Sequence, residues 1–590
     1  MNKRKILMIL YSFMATIGIS TLIDTFTIDG RESANNVFMI IIFFAFYFFI
    51  KNINVKVDKR KLIFSSIFSI ILSAIIIVGS QLELNHTSIS KVQMIFGFIF
   101  ISITLIPIVM SLLSIEIKEK KQVTKRNMFF KIFLVIWIFG IIAWLSLYPG
   151  GYDYDAPVQL RQFMNPAYKV NTHFSVLFSY LEYLIVSLGY KIFGNYQAAI
   201  GLFTFLQMTI VSLVTSYSSY FIYKESRNNK VLLLISVTFF SLFPFHLLLQ
   251  ISCVQDTLFA SSILIFAISI YKLINRTSNN KFDALSLIIS GILATLFRNN
   301  GIYIIIFLLI ISILICFIFK IKINKKIYFT NLIVIISFYY IYASLILPAL
   351  GVIKGDSIRE MSSIPSQQLA SVYNYNKNTF SNKELKLLNE FYPNCDFSIY
   401  TINQLISDNQ KSCLNEKYTK THIKKYAELY ISIGKKDLKN YTKAFLLNTY
   451  GFWYPNKSYP DYRMFHPYIE YKISTPSIFS SDFIEIKRNS KISIIEKYFK
   501  EVLNENKWQK IPVISSICSM GNYFVFGLFL IVLILYRKKY KYLIPTSIYV
   551  GIYITLFLSP VALYRYVYSI VISIPLLTLI LYKTYLKNQN

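Results

Sequence analysis

The chain has 590 residues, of which 55% are hydrophobic and only 15% charged, and a formal net charge of +32; its mean hydropathy is +0.50. A soluble domain carries about a quarter charged residues, so an ordinary soluble globular protein is excluded. The excess of Lys and Arg would suit nucleic acid in a soluble protein, but here it sits in short clusters between long apolar runs. That is the pattern of topology signals and anionic-lipid contacts, and the partner it points to is the lipid bilayer, with no nucleic acid.

The first residues, Met1 to Ser20, join a basic start (Lys3, Arg4, Lys5) to an apolar stretch without a small-x-small cleavage site. They read as an uncleaved first helix. Runs of about 20 apolar residues match a hydrocarbon core of roughly 30 Å and must be helical, because lipid offers the backbone no partners. Window hydropathy gives about 14 such spans. They lie near 5–21, 36–50, 62–79, 92–114, 128–148, 198–223, 231–250, 256–274, 284–297, 301–319, 327–348, 521–537, 541–559 and 562–583.

With the N-terminus inside, alternate connections should be basic. Those carrying Lys51, Lys59, Arg60 and Lys61, then Lys118, Lys120 and Arg126, then Lys224 and Lys230, Lys272 and Lys281, Lys320 and Lys325, and Arg537 to Lys541 are basic. The agreement requires that Phe174 to Leu188 not cross, so this stretch is read as an amphipathic helix on the outer surface. The expected fold class is an all-α polytopic membrane protein, N-in and C-in, with one extracytoplasmic α-rich soluble insert. The expected division is N-terminal transmembrane helices over 1–127, a transmembrane core over 128–350 with an outer loop at 149–197, the insert over 351–511, and C-terminal transmembrane helices over 512–590. Within the insert, Asn382 to Glu390 and Thr419 to Ile433 look helical. None of the five cysteines forms a C-x-x-C pair, so no zinc or redox motif exists. Cys395 and Cys413 share the insert and are either a disulfide or two separate thiols.

The chemistry-bearing residues fall at the outer face. The loop after the fifth span reads Tyr148-Pro-Gly-Gly-Tyr-Asp-Tyr-Asp-Ala-Pro-Val-Gln159, and its glycines and proline break the helix there. Asp153 and Asp155 at a membrane boundary suit general-base work. They can also share a divalent cation such as Mg or Mn. The plain alternative is that Asp and Gly are common at turns. His173, in Asn171-Thr-His173, can meet a phosphate or metal or simply open a helix. Gln255 and Asp256 stand at another outer junction, where Asp256 either caps a helix or lines the cavity.

Arg298, in Leu296-Phe-Arg-Asn-Asn-Gly-Ile-Tyr303, lies between apolar helices, where a cation faces a cavity or partner unless it snorkels to headgroups. Its planar fork binds phosphate, and Asn299 and Asn300 add amides. Arg565, between Tyr564 and Tyr566, can grip an anionic lipid head, whereas tyrosines at that depth are ordinary interface residues. Asp153, Asp155, Asp256, Arg298 and Arg565 thus describe a cavity in which cations hold a lipid phosphate and a carboxylate handles a hydroxyl proton.

The layout, with Pro149-Gly-Gly-Tyr-Asp-Tyr-Asp155, Phe297-Arg-Asn-Asn-Gly301, Ile364-Pro-Ser-Gln-Gln-Leu369 and Tyr564-Arg-Tyr566, resembles the GT-C superfamily of membrane glycosyltransferases, in a bacterial branch of it. The resemblance implies an inverting enzyme of the bacterial plasma membrane. It would move a sugar from a polyprenyl-phosphate-linked sugar donor to a glycan, lipid or protein acceptor outside the cytoplasm. Asp153 or Asp155 would be its base, and Arg298 and Arg565 would neutralise the departing phosphate. From the residues themselves, Gln367 and Gln368 can hydrogen-bond an acceptor from the insert, and the aromatics of Tyr450 to Pro455 and Tyr459 to Tyr468 either stack on sugars or sit at the membrane surface or in a small core. Four spans precede the one that leads into the loop carboxylate, whereas superfamily members often carry it after the first. Two other readings are a transporter or flippase of lipid-linked glycans and a non-catalytic surface-assembly protein.

Overall fold

A computed structural model describes residues 3–23, 32–53, 55, 57–83, 91–118, 128–152, 155–275, 281–321, 323–355, 357–397, 407–457, 486–501 and 507–587. Among these, regular structure is helical, and extended residues pair only at the isolated bridges Ile117–Leu586, Gly151–Ser252 and Asn171–Ile353. The first long helices are α1 (Lys3–Ile23), α2 (Glu32–Asn52), α3 (Lys59–Glu83), α4 (Lys91–Ser114) and α5 (Phe129–Ser146). They are followed by α6 (Asp155–Met164), α7 (Val176–Phe193), α8 (Tyr196–Glu225), α9 (Lys230–Leu242), α10 (Pro244–Leu249), α11 (Gln255–Asn275), α12 (Lys281–Phe297), α13 (Gly301–Ile318) and α14 (Lys325–Ile341). The insert contributes α15 (Ser363–Tyr375), α16 (Asn382–Phe391), α17 (Ile423–Lys436) and α18 (Leu438–Trp453). The chain closes with α19 (Met520–Tyr536), α20 (Leu543–Leu556), α21 (Tyr564–Val571) and α22 (Ile574–Tyr585). Among the described residues eight helices are long and apolar enough to cross a membrane, or nine if the bent pair α21 and α22 is one span. The chain is therefore a multi-pass membrane protein.

Two apolar runs break where proline removes a backbone donor. Phe243 is extended ahead of Pro244, which ends α9 and starts α10, as the residue before proline prefers. The run at 562–583 bends by 42° between α21 and α22, where Pro575 sits in the first turn of the new helix. In the insert, the helical stretch at 419–433 is interrupted at His422, where α17 begins.

Side-chain contacts show which helix ends lie together. Trp137 and Trp144 of α5 donate to Thr209 and Thr204 of α8 at 3.1 and 3.0 Å, so the two run antiparallel. Gln207 of α8 donates to the Ser252 carbonyl at 2.7 Å, and Tyr217 farther along α8 meets Lys272 of α11, so these run parallel. α11 and α12 form an antiparallel pair, tied by Ser269–Ser286 at 2.8 Å and Lys272–Asp283 at 3.2 Å. The starts of α8 and α11 and the ends of α5 and α12 therefore share one end of the bundle.

α7 lies across that end. The backbone N–H of its N-cap Ser175 donates to Gln255 Oε1 at 3.0 Å, and the Ser175 hydroxyl donates to the Leu296 carbonyl at 2.6 Å. At its other end Gly189 packs against Ala199, close enough that a side-chain carbon at 189 would stand 2.8 Å from the Ala199 Cα. Both ends of α7 thus touch the same end of the bundle, although its length and apolarity count it among the eight candidates.

The insert has a core of its own, running from Leu369 to Ala444 around Phe391, Tyr392 and Ile433, and Cys395 and Cys413 are joined by a disulfide. The last turns of α18 leave that core: Leu447, Tyr450, Phe452, Trp453 and Tyr454 belong to the bundle core. Tyr454 lies against Gly79 and Gly521, where any side chain would collide with it. Ser407 N–H and Asn448 Nδ2 donate to the Pro560 and Ser559 carbonyls at 3.0 and 2.8 Å.

Within the insert, Glu384 closes a capping box with Ser381 at the start of α16. Burial would raise its carboxyl, but hydrogen bonds from Lys436, the Ser381 backbone, Ser432 and the Ser381 hydroxyl outweigh it and pull it down to about 2. A depressed carboxyl adds stability that is complete above its unfolded value of about 4.3 and is lost as pH falls toward 2. Hydrogen-exchange protection of α16 in the full chain should fall over that window. Glu384→Ala should remove that pH dependence and cost about 2 kcal/mol, the scale of hydrogen bonds to a charged group.

Candidate functional site

The site begins with the turn after α5. Gly150 has φ +107°, and an added side chain would stand 2.5 Å from both the Ile251 carbonyl and the Thr204 side chain, so only glycine fits. Gly151 then exchanges backbone hydrogen bonds with Ile251 and Cys253 at 2.9 and 2.7 Å. This clasp fixes where α6 starts, and Asp155 occupies its first turn, where the helix dipole favours a carboxylate.

Asp155 Oδ2 lies 2.7 Å from a guanidinium nitrogen of Arg565. Arg565 is in the first turn of α21, whose start is held by Tyr564. That side chain is buried, its ring 4.2 Å from Phe245 between centroids and its hydroxyl 2.6 Å from the Tyr523 hydroxyl. The guanidinium of Arg565 also lies 5.2 Å from the ring centre of Tyr566. Arg298 lies over the same ring at 4.8 Å and is ion-paired to Asp256 in the first turn of α11. Two carboxylate–guanidinium pairs from α6, α11, the α12–α13 junction and α21 therefore meet at one tyrosine. Side-chain exposure is 4% for Asp256, 15% for Arg298, 11% for Arg565 and 25% for Asp155, which makes Asp155 the most accessible of the four.

The other predicted residues have distinct positions. Asp153 lies outside the described residues. Gln255 holds α7 through Ser175. Asn299 donates to the Thr172 carbonyl at 2.8 Å, pinning the loop before α7 to the α12–α13 junction. Asn300 and His173 are exposed, and the His173 N–H donates to Asn171 Oδ1 at 2.9 Å. Gln367 and Gln368 are buried in the insert, where Gln368 donates to the Tyr441 carbonyl at 3.1 Å and accepts from the Tyr430 hydroxyl. Gln368 is thus a core residue of the insert rather than a lining residue of the cluster. Among the described residues no three His, Cys, Asp or Glu side chains gather as a metal site, and Asp155 takes its positive partner from Arg565.

Two neighbours were not singled out in the sequence. Tyr566 had passed as interface chemistry. Glu182, the acidic residue of α7, is fully enclosed, and neither of its oxygens has a hydrogen-bond partner among the described residues. The signal was present: a lone carboxylate inside an apolar helix is costly and faces inward.

The arrangement can hold an anion on two planar forks and take up a proton on a carboxylate beside them. Because Asp256 and Arg298 are both buried, removing either leaves an uncompensated charge. Arg298→Met and Asp256→Leu should each cost about 3–5 kcal/mol, and the double variant less than either, as read by thermal unfolding of the purified protein.

No curated protein and no solved structure matches the chain. A family model, described as a family of unknown function (DUF6020), matches residues 164–590. That range contains Glu182, Asp256, Arg298 and Arg565, and it starts after Asp155. Since the match spans most of the chain, the protein belongs to the DUF6020 family.

Proposed function

We propose that this protein is a glycosyltransferase of the bacterial plasma membrane, transferring a sugar from a polyprenyl-phosphate carrier to a cell-surface acceptor at the outer face. The observation that carries the reading is the meeting of Asp155–Arg565 and Asp256–Arg298 around Tyr566. In this reading the chain crosses about 14 times, both termini are inside, and the end of the bundle holding the pairs faces outward. The basic connections around Lys224, Lys272, Lys320 and Lys538 join helices at the opposite end, which fits the positive-inside pattern. The Cys395–Cys413 disulfide fits an oxidising compartment for the insert. The crosswise contacts of α7 fit a helix lying in the interface.

In the reaction, Arg565 and Arg298 grip the phosphate of the donor. Asp155, released from Arg565, takes the proton of an acceptor hydroxyl. The acceptor oxygen bonds to the anomeric carbon from the face opposite the phosphate. The carbon–oxygen bond to the phosphate breaks, and its electron pair stays on the phosphate, where the guanidinium groups stabilise the growing charge. Attack from the opposite face inverts the anomeric carbon.

A transport reading asks for charges along a path through the bundle. Among the described residues these ion pairs of the bundle instead sit at its two ends, with Asp155–Arg565 and Asp256–Arg298 at one and Lys272–Asp283 and Lys583–Glu225 at the other.

Membranes carrying Asp155→Asn should lose transfer of labelled sugar from polyprenyl-phosphate carriers by about 10²- to 10⁴-fold, the usual worth of a general base. Arg565→Gln should lose about 10²- to 10³-fold. Undiminished transfer in both variants would remove the proposed roles.

A further inference from the structure

The loop between α20 and α21, residues 557–563, carries Arg565 to its place, and the bundle does not hold that loop alone. Tyr564 anchors the start of α21, but the backbone just ahead of it is extended at Leu563 and has left the helical ladder. Among the described residues, the hydrogen bonds that this loop accepts from beyond α20 and α21 come from the insert. Asn448 Nδ2 donates to the Ser559 carbonyl at 2.8 Å. Ser407 donates both its backbone N–H and its hydroxyl to the next carbonyl, that of Pro560, at 3.0 and 3.3 Å. Two consecutive carbonyls are thus gripped from two separate parts of the insert.

Asn448 is placed to make that grip rigid. It is 1% exposed and stands where α18 passes from one core to the other: Tyr441 and Ala444 belong to the insert core, Leu447 and Tyr450 to the bundle core. Ser407 is fully buried, and its own carbonyl accepts from the Lys411 N–H at 2.9 Å. A carbonyl shielded from water that loses its donor is left with an unmet hydrogen bond. The Ser559 carbonyl therefore follows Asn448, and Arg565, in the first turn of α21, follows the loop. We propose that Asn448 is a positioning residue for Arg565: together with Ser407 it clamps the Ser559–Pro560 carbonyls to the insert and so sets where the guanidinium stands to receive the donor phosphate. This rests on the transferase reading and deepens it by making the insert part of the phosphate site.

The test is binding of a tritium-labelled polyprenyl monophosphate to the purified full chain, with the neutral polyprenol as control. Asn448→Leu stays near the size of the native side chain and removes the donor. Its dissociation constant for the phosphate should rise by about 2- to 10-fold, the scale of one neutral hydrogen bond, while the number of sites and the binding of polyprenol stay native. A merely structural loss would instead reduce the number of sites and leave the dissociation constant alone. Ser407→Pro removes the other N–H at a backbone φ of −81° that proline accepts. It should weaken phosphate binding in the same way, and it decides the question if Asn448→Leu does not fold. Arg565→Gln should weaken binding by about 10- to 100-fold, as for a hydrogen bond to a charged group, and adding Asn448→Leu to it should change nothing further. Equal weakening for polyprenol, a loss of sites alone, or a full further loss in the double variant overturns the proposal. If Arg565→Gln weakens phosphate binding while Asn448→Leu and Ser407→Pro keep native affinity, this inference fails alone. If Arg565→Gln binds the phosphate as the native protein does, the transferase reading fails instead.

Discussion

A charge taken out of water must find an opposite charge, and in this protein that requirement organises one whole end of the helix bundle. Asp256 and Arg298 are both largely buried, and each is tolerable only because the other is there. Arg565 meets the same need through Asp155, and the Tyr566 ring offers its face to both guanidinium groups. The pairs tie together elements more than 400 positions apart, from α6 to α21. The backbone clasp between Gly151 and the residues before α11 sets the position of one partner, and the Tyr564–Phe245 stack sets that of the other. Such a cluster is electrically balanced at rest, and an incoming anion can use its cations only by displacing its carboxylates.

That exchange links stability to function. In water a phosphate would meet arginines that are free and hydrated. In the proposed reaction it would meet arginines already oriented by their carboxylates and by an aromatic face, so little ordering would be left for the moment of binding. The insert is part of the same construction. Its α18 ends inside the bundle core, and Ser407 and Asn448 grip the Ser559–Pro560 carbonyls, five residues before Arg565. The conformation of the segment leading into the cation is thereby coupled to the folded insert.

Much of the helical layout was legible in the sequence because lipid leaves the backbone no alternative to a helix: apolar runs such as 198–223 and 301–319 correspond closely to α8 and α13. Arg298 and Arg565 stood out because a guanidinium between apolar segments is expensive, and that cost is visible in one dimension. Their partners were not. Asp256 reads equally as a helix cap, and only the α11–α12 pairing brings it to Arg298. The same limit hid Glu182, whose enclosure comes from α6 and α7 crossing the end of the bundle, while hydropathy saw an apolar surface helix. Gln368 suggested a binding residue by its motif, but Tyr430 and Tyr441 from distant helices consume its hydrogen bonds. The breaks at Pro244 and before Pro575 were blurred because a hydropathy window averages over the proline.

The central claim is that the two ion pairs face the outside together with the insert. Single cysteines at exposed positions test it most directly, because native Cys253, Cys316 and Cys518 are buried and the other two are disulfide-bonded. His173→Cys and Asn300→Cys mark the end of the bundle that carries the pairs, and Lys320→Cys and Lys538→Cys mark the other; all four positions are exposed. The account predicts that a membrane-impermeant maleimide applied to intact cells labels the first two, and reaches the last two only after permeabilisation. Labelling of Lys320→Cys or Lys538→Cys in intact cells with protection of Asn300→Cys would contradict it, and with it an outward-facing reaction centre.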